Sequence, residues 1–306
     1  MPALSLASNQ DIPKDIPRDI AQDPAQDVPS SAAANDSTAK PVVSDIDCAL
    51  HYRVDGPTDF LFQIHALDGM DQRVRAESLD VAMTDGRPVT HRVYADPGLG
   101  HRFLRIHADG GELALRYRAT VERAMQPNDA DAPWVPVAEL PDELLHNLMP
   151  TRYCESDLLA RAAFKHFGDL PPGAAQVTAI VEWIHENIDY QIGSSQSTTT
   201  ARDVYLQRAG VCRDFAHLGI TFCRALNIPA RLVAGYAPFD EPPPDFHAVF
   251  EAYLGGRWML FDATRMSPVE RLVRIASGRD AKDLAFATLF GPAVMTSMAP
   301  LIELAR

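Results

Sequence analysis

Three residues of this 306-residue chain have the types and settings that nucleophilic acyl transfer requires: Cys212, His247 and Asp262. Cys212 follows Gly210-Val211 and opens an apolar helical run, Cys212-Arg213-Asp214-Phe215-Ala216-His217-Leu218. The free N–H groups and positive end of a helix N-terminus favour thiolate over thiol, so a reactive cysteine belongs there. His247 lies in the strand-like Asp245-Phe246-His247-Ala248-Val249-Phe250, and Asp262 in Met259-Leu260-Phe261-Asp262-Ala263-Thr264. In that order they read as a nucleophile, its base and the group that orients the base.

The spacing of His247 and Asp262 can be tested as geometry. Gly255-Gly256 is a two-residue turn signal between β-prone runs at 247–254 and 257–264. A two-residue loop pairs Leu254 with Arg257, and the same register sets Val249 opposite Asp262. Side chains alternate along a strand, so His247, Val249 and Asp262 share one face. His247 and Asp262 are then diagonal neighbours, roughly 7–8 Å apart at Cα. The other face, with Ala248, Phe250, Ala252, Leu254, Met259, Phe261 and Ala263, is expected to be core. A slip of one residue would put the His and the Asp on opposite faces.

The nucleophile needs a helix, and 212–226 supplies one. Phe215, Leu218, Phe222 and Leu226 form its core stripe, and it ends before Asn227-Ile228-Pro229. His217, five residues after Cys212, is rotated about 140° from the thiol, so it reads as packed or hydrogen-bonded rather than as the base. Val177, Ile180, Val181, Ile184 and Ile188 mark a second helix over 174–188. His185 within it lacks the second His of a zinc motif. The Ser/Thr/Gly-rich residues 192–200 read as an exposed loop, and the acidic, proline-rich Asp240 to Pro244 as a solvated connection before His247.

At these residues the chain resembles the transglutaminase-like superfamily in its bacterial form. The resemblance spans about 46–300 and is densest over 183–264. It rests on Trp183-Ile184-His185-Glu186-Asn187-Ile188-Asp189-Tyr190, on the segment from Gly210 to His217, and on Ala225 to Tyr236. It implies an α+β fold with a papain-like core, a helix bearing Cys212 packed on an antiparallel sheet bearing His247 and Asp262. It implies a β-domain before that core, and it points to Tyr190 as a second oxyanion donor beside the Cys212 N–H. Residues 150–157 and 278–281 also resemble bacterial family members, but no chemistry is assigned to them.

The rest of the chain sets bounds. Residues 1–45, with Asp recurring every fourth position from Asp11 to Asp27 and prolines between, read as a disordered tail. Residues 46–125 read as a small β-sandwich, with strands expected near 49–54, 59–64, 91–94, 102–106 and 112–121. His51, His65, His91, His101 and His107 are scattered through it as surface or edge residues. Residues 126–150 form a proline-rich linker with a short helix near 141–148, and 151–306 the catalytic region. A net charge of −13 argues against a nucleic-acid partner. No long apolar run suggests a membrane span, and no secretory signal is evident, so a cytoplasmic protein is expected. Cys48, Cys154, Cys212 and Cys223 have no metal or disulfide spacing, which suits a reducing compartment.

The expected chemistry is attack of Cys212 on an amide carbonyl, in a peptide bond or a glutamine carboxamide, with a thioester intermediate. Water completes hydrolysis, which is expected over amine crosslinking. The expected partner is a peptide or protein substrate, with neither cofactor nor metal. The alternative is a non-catalytic module that keeps this fold to bind a peptide, but such a module has no need of all three residues.

Overall fold

A computed structural model describes residues 41–96, 100–124, 127–239 and 245–305. The 1–40 portion of the tail and the 240–244 connection lie outside them. The first six strands are β1 (Val42–Val54), β2 (Thr58–Phe62), β3 (Gln72–Met83), β4 (Thr90–Ala95), β5 (Arg102–Ala108) and β6 (Gly111–Arg123). Then come α1 (Ser156–Phe167), α2 (Ala174–Asn187), β7 (Asp189–Tyr190), α3 (Ala201–Gln207), β8 (Ala209–Gly210) and α4 (Cys212–Ala225). The chain closes with β9 (Ala230–Tyr236), β10 (Phe246–Leu254), β11 (Arg257–Phe261), β12 (Val273–Gly278), β13 (Ala287–Phe290) and β14 (Ala293–Leu304).

Two four-stranded antiparallel sheets, ordered β14-β1-β6-β3 and β13-β2-β5-β4, form a sandwich. Period-two burial along β1 and β6 turns Cys48, Leu50, Tyr52, Leu115 and Tyr117 inward. The sheets meet through aromatic edges, with Tyr52 of β1 5.3 Å from Phe60 and 5.6 Å from Phe62 of β2. A third antiparallel sheet, β11-β10-β9-β12, carries α4 on one face. Gly219 sets that approach: a Cβ there would lie 2.5 Å from the Phe250 ring of β10. A mid-helix glycine costs about 1 kcal/mol in propensity, and here it lets helix and sheet close together.

Several expectations are revised. β1 begins at Val42, so residues 42–45 belong to a strand and not to the tail. β3 is a long strand that hydrophobic pattern does not reveal, because most of its residues, among them Arg73, Arg75, Glu77 and Asp80, are exposed at a sheet edge. β13 and β14, expected within the catalytic region, instead pair with β2 and β1 and complete the sandwich. The sandwich is therefore built from both ends of the described chain. His65 and His101 are buried, not surface residues, because both lie where the sandwich meets the third sheet or its own interior. His101 Nε2 is 2.7 Å from the Ser277 carbonyl on β12, and Nδ1 is 3.2 Å from Gln63.

Candidate active site

The hairpin has the expected register. β10 and β11 pair from Leu254↔Arg257 to Phe250↔Phe261, and Gly255 and Gly256 take φ of +55° and +84°, as a tight two-residue turn requires. The ladder stops one pair short of Asp262, which leaves the strand and is held by its own turn. Its Oδ1 accepts from the Thr264 N–H at 2.9 Å and the Thr264 hydroxyl at 2.7 Å. Its Oδ2 lies 2.9 Å from His247 Nε2, with both side chains buried. Both faces of β10 are covered, which revises the expectation of one core face. Val249 joins Val233, Ala237, Leu260 and Leu272 in a second apolar cluster, with Phe239 packed against it and 5.7 Å from the His247 ring.

Cys212 is the first residue of α4 and is only partly buried, unlike Cys48, Cys154 and Cys223, which are fully buried. The Cys212 thiol lies close enough to His247 to favour the charged form of the imidazole. With Nε2 given to Asp262, Nδ1 is the nitrogen that remains for the thiol. Burial opposes a charge on His247, but the hydrogen bond to Asp262 and the neighbouring Cys212 thiol outweigh it and raise the imidazole to about 10. Burial also disfavours the Asp262 carboxylate, and there the His247 and Thr264 hydrogen bonds win and hold its value below the usual range.

The start of α4 is fixed by the Gly210-Val211 turn. Asp214 folds back to accept from the Val211 N–H at 2.9 Å, occupying the helix N-terminus. A Cβ on Gly210 would lie 2.8 Å from the Asp214 Cβ, so this return needs glycine. Arg213 pairs with Asp214 at 3.3 Å and donates to Ser195 Oγ and the Gln196 carbonyl, which ties the exposed 192–200 loop to the nucleophile end. β7 and β8 form a two-residue parallel pair, Asp189↔Ala209 and Tyr190↔Gly210. That pair brings Tyr190 beside Cys212. Burial and, next, the nearby Cys212 thiol raise the pKa of the Tyr190 hydroxyl.

His217 stands apart from this group. It is fully buried, stacked on Tyr153 at 5.3 Å, and its Nε2 accepts from the Ala281 N–H at 3.2 Å. Burial holds it down at about 3, so it is neutral, as a structural residue should be.

The segments without assigned chemistry meet behind α4. Arg224, 3% exposed, donates to the carbonyls of Met149, Ala230 and Arg279 and to Thr151 Oγ1. Asp280 accepts from the Tyr153 N–H at 3.0 Å. Residues 149–153 and 278–281 are thus two sides of a clamp that fixes the helix carrying Cys212. Sequence reading missed Arg224 because its partners are mostly backbone carbonyls, which leave no trace in residue type.

A helix-start thiol facing a strand-borne imidazole–carboxylate pair, on an α+β body, defines a cysteine-enzyme type of site. The sequence pattern of the transglutaminase-like superfamily matches residues 163–263. The fold superposes with a TM-score of 0.80 on a candidate cysteine protease from Cytophaga hutchinsonii, 42% identical, over 88% of this chain and 92% of that one. An uncharacterized protein of Mycobacterium leprae is 26% identical over 193 residues, 59% of this chain and 68% of its own length. One from Mycobacterium tuberculosis is 29% identical over 175 residues, 53% of this chain and 55% of its own length. The match therefore spans about half of the M. tuberculosis protein. The chain belongs to the transglutaminase-like superfamily.

Proposed function

We propose that the protein is a cysteine hydrolase of amide bonds, in peptides or in glutamine carboxamides, with Cys212 as nucleophile, His247 as base and Asp262 as orienting acid. The observation that supports this reading is the placement of His247, bonded to Asp262 at 2.9 Å and close enough to the Cys212 thiol for the thiol to favour its charged form. His247 takes the thiol proton at Nδ1, and the sulfur attacks the carbonyl carbon. The oxyanion forms beside the Cys212 N–H, with the Tyr190 hydroxyl as a second donor; each well-placed donor contributes roughly 3 kcal/mol. The C–N bond breaks as His247 returns the proton to the departing amine. Water, deprotonated by His247, then cleaves the thioester to carboxylate and free thiol. The likeness to a candidate cysteine protease favours water over an amine as the acceptor.

The test is chemical labelling followed by turnover. Limiting iodoacetamide should modify Cys212 at least tenfold faster than the three buried cysteines, and the modified protein should be inactive. Burial pushes the Cys48 and Cys154 thiols up to about 12. A library of Gln-containing peptides, with and without a primary amine, then separates hydrolysis from transfer. Labelling of another cysteine first, with Cys212 intact, sinks the assignment. Amine incorporation in excess of hydrolysis sinks the preference for water.

A further inference from the structure

The sandwich is open along one side. β3 pairs with β6, and β4 with β5. Among the described residues, the bridge Ala82↔Pro88 is the last link between β3 and the segment leading to β4. Beyond it β3 enters one sheet and β4 the other. A cleft of about 440 Å³ lies between them, within the roughly 300–1,000 Å³ of ligand sites. Leu79, Val93 and Tyr94 wall it, and Glu77, Arg102, His65 and Tyr117 line its polar side.

Three features ask for an occupant. His65 is 3% exposed, yet its Nδ1 has no hydrogen-bond partner among the described residues, and neither has Arg102 Nε. Buried polar atoms left so are expensive. Second, the polar side carries no net charge. Arg102 and Glu77 pair at 2.6 Å, the Tyr117 hydroxyl donates to the same carboxylate at 2.9 Å, and burial holds His65 neutral, down at about 4. Third, every residue of β4 is exposed, Val93 at 45% and Tyr94 at 38% among them, and the facing edges of β3 and β4 are unpaired among the described residues.

We propose that this cleft binds an uncharged, extended polypeptide segment with apolar side chains, which adds as a strand between β3 and β4. A main chain meets two strand edges at once, whereas a compact solute meets only the polar side. Its main chain pairs with the free edges of β3 and β4, and its apolar side chains cover Leu79, Val93 and Tyr94. The cleft is joined to the body that holds the thiol. The carbonyl of Ile64, next to His65, accepts from the Tyr236 hydroxyl, and Tyr236 pairs with Phe246, the neighbour of His247. A protein substrate would then be gripped at a second place, although the binding itself does not depend on Cys212 chemistry.

The test uses the full chain carrying Cys212→Ala, which separates binding from turnover. A random heptapeptide display library is panned against it, and selected peptides are measured by fluorescence anisotropy and amide hydrogen exchange. Peptides should be apolar and uncharged, slow exchange over residues 76–80 and 91–95, and bind at least tenfold more weakly to Tyr94→Ala and to Ser78→Trp. Both sites are exposed, so both variants should keep the parent melting temperature. Peptides that bind the two variants as well as the parent, or that protect only 189–212, overturn the proposal. So does a library that yields no binder, or a panel of neutral oligosaccharides that protects β3 and β4 where no peptide does.

Discussion

Replacing Asp262 by asparagine isolates the role of one proton. Asp262 Oδ1 accepts two hydrogen bonds from Thr264, at 2.9 and 2.7 Å. In Asp262→Asn the amide oxygen must take that place, because an NH₂ there would face two donors. The NH₂ then occupies the Oδ2 position, 2.9 Å from His247 Nε2 and 3.4 Å from the Ser267 N–H. His247 can satisfy a donor only by presenting a bare Nε2, which moves its proton to Nδ1, facing the thiol. In that tautomer it cannot accept the proton of Cys212, and no carboxylate remains to stabilise an imidazolium. Loss of the correct tautomer in a triad lowers turnover by about 10⁴-fold, or roughly 5 kcal/mol of barrier. The assay needs no substrate: the alkylation rate of Cys212 at pH 6 should fall at least tenfold in Asp262→Asn and recover toward pH 9. The Thr264 bonds survive, so the melting temperature should drop by less than about 5 °C. An Asp262→Asn protein that keeps its melting temperature and still alkylates at the parent rate at pH 6 would refute the assigned tautomer.

Three further outcomes follow from the same geometry. Arg224→Met should strip four acceptors of their donor, the buried Ala230 carbonyl among them, and destabilise by about 3 kcal/mol, a fall of roughly 6–12 °C in thermal melting; an unchanged melt would show the clamp to be dispensable. Gly219→Ala should force Phe250 out of place and destabilise by about 2 kcal/mol, visible in urea unfolding; a stabilised protein would contradict the close approach of α4 and β10. Acid should weaken the fold before carboxylates titrate. His65 and His217 have folded values of about 4 and about 3, below their unfolded value near 6.5, so their contribution is present above pH 6.5 and lost as pH falls. Each removes up to about 1.4 kcal/mol per pH unit in that window, whereas His247, with a raised value, contributes fully below about pH 6.5 and loses its share progressively as pH rises from there to about 10. Equal unfolding free energies at pH 7 and pH 5 would count against both buried histidines being neutral.

What the sequence discloses about this protein divides along one physical line. The parts that were legible are set by local rules. The Gly255-Gly256 turn fixes a register, the register fixes which residues share a face, and the helix start places a thiol. Each can be computed within about fifteen residues of chain, and the structure keeps each of them. The parts that were not legible depend on partners far away in sequence. β3 was hidden because an edge strand can carry charge on both faces, so alternation is absent. β13 and β14 read as part of the nearby core because nothing in their composition says that they pair with strands more than two hundred residues earlier. The clamp around Arg224 was hidden most completely, since its partners are chiefly carbonyl oxygens that every residue possesses. This division has a consequence for the site itself. Asp262 reaches His247 within one hairpin, but Cys212 reaches His247 only if α4 sits correctly on β10. That second distance is governed by Gly219, Arg224 and the 149–153 and 278–281 segments, none of which touches the thiol. Variants there should therefore lower the reactivity of Cys212 while leaving the His247–Asp262 pair intact, a separation that substitutions within the hairpin cannot produce.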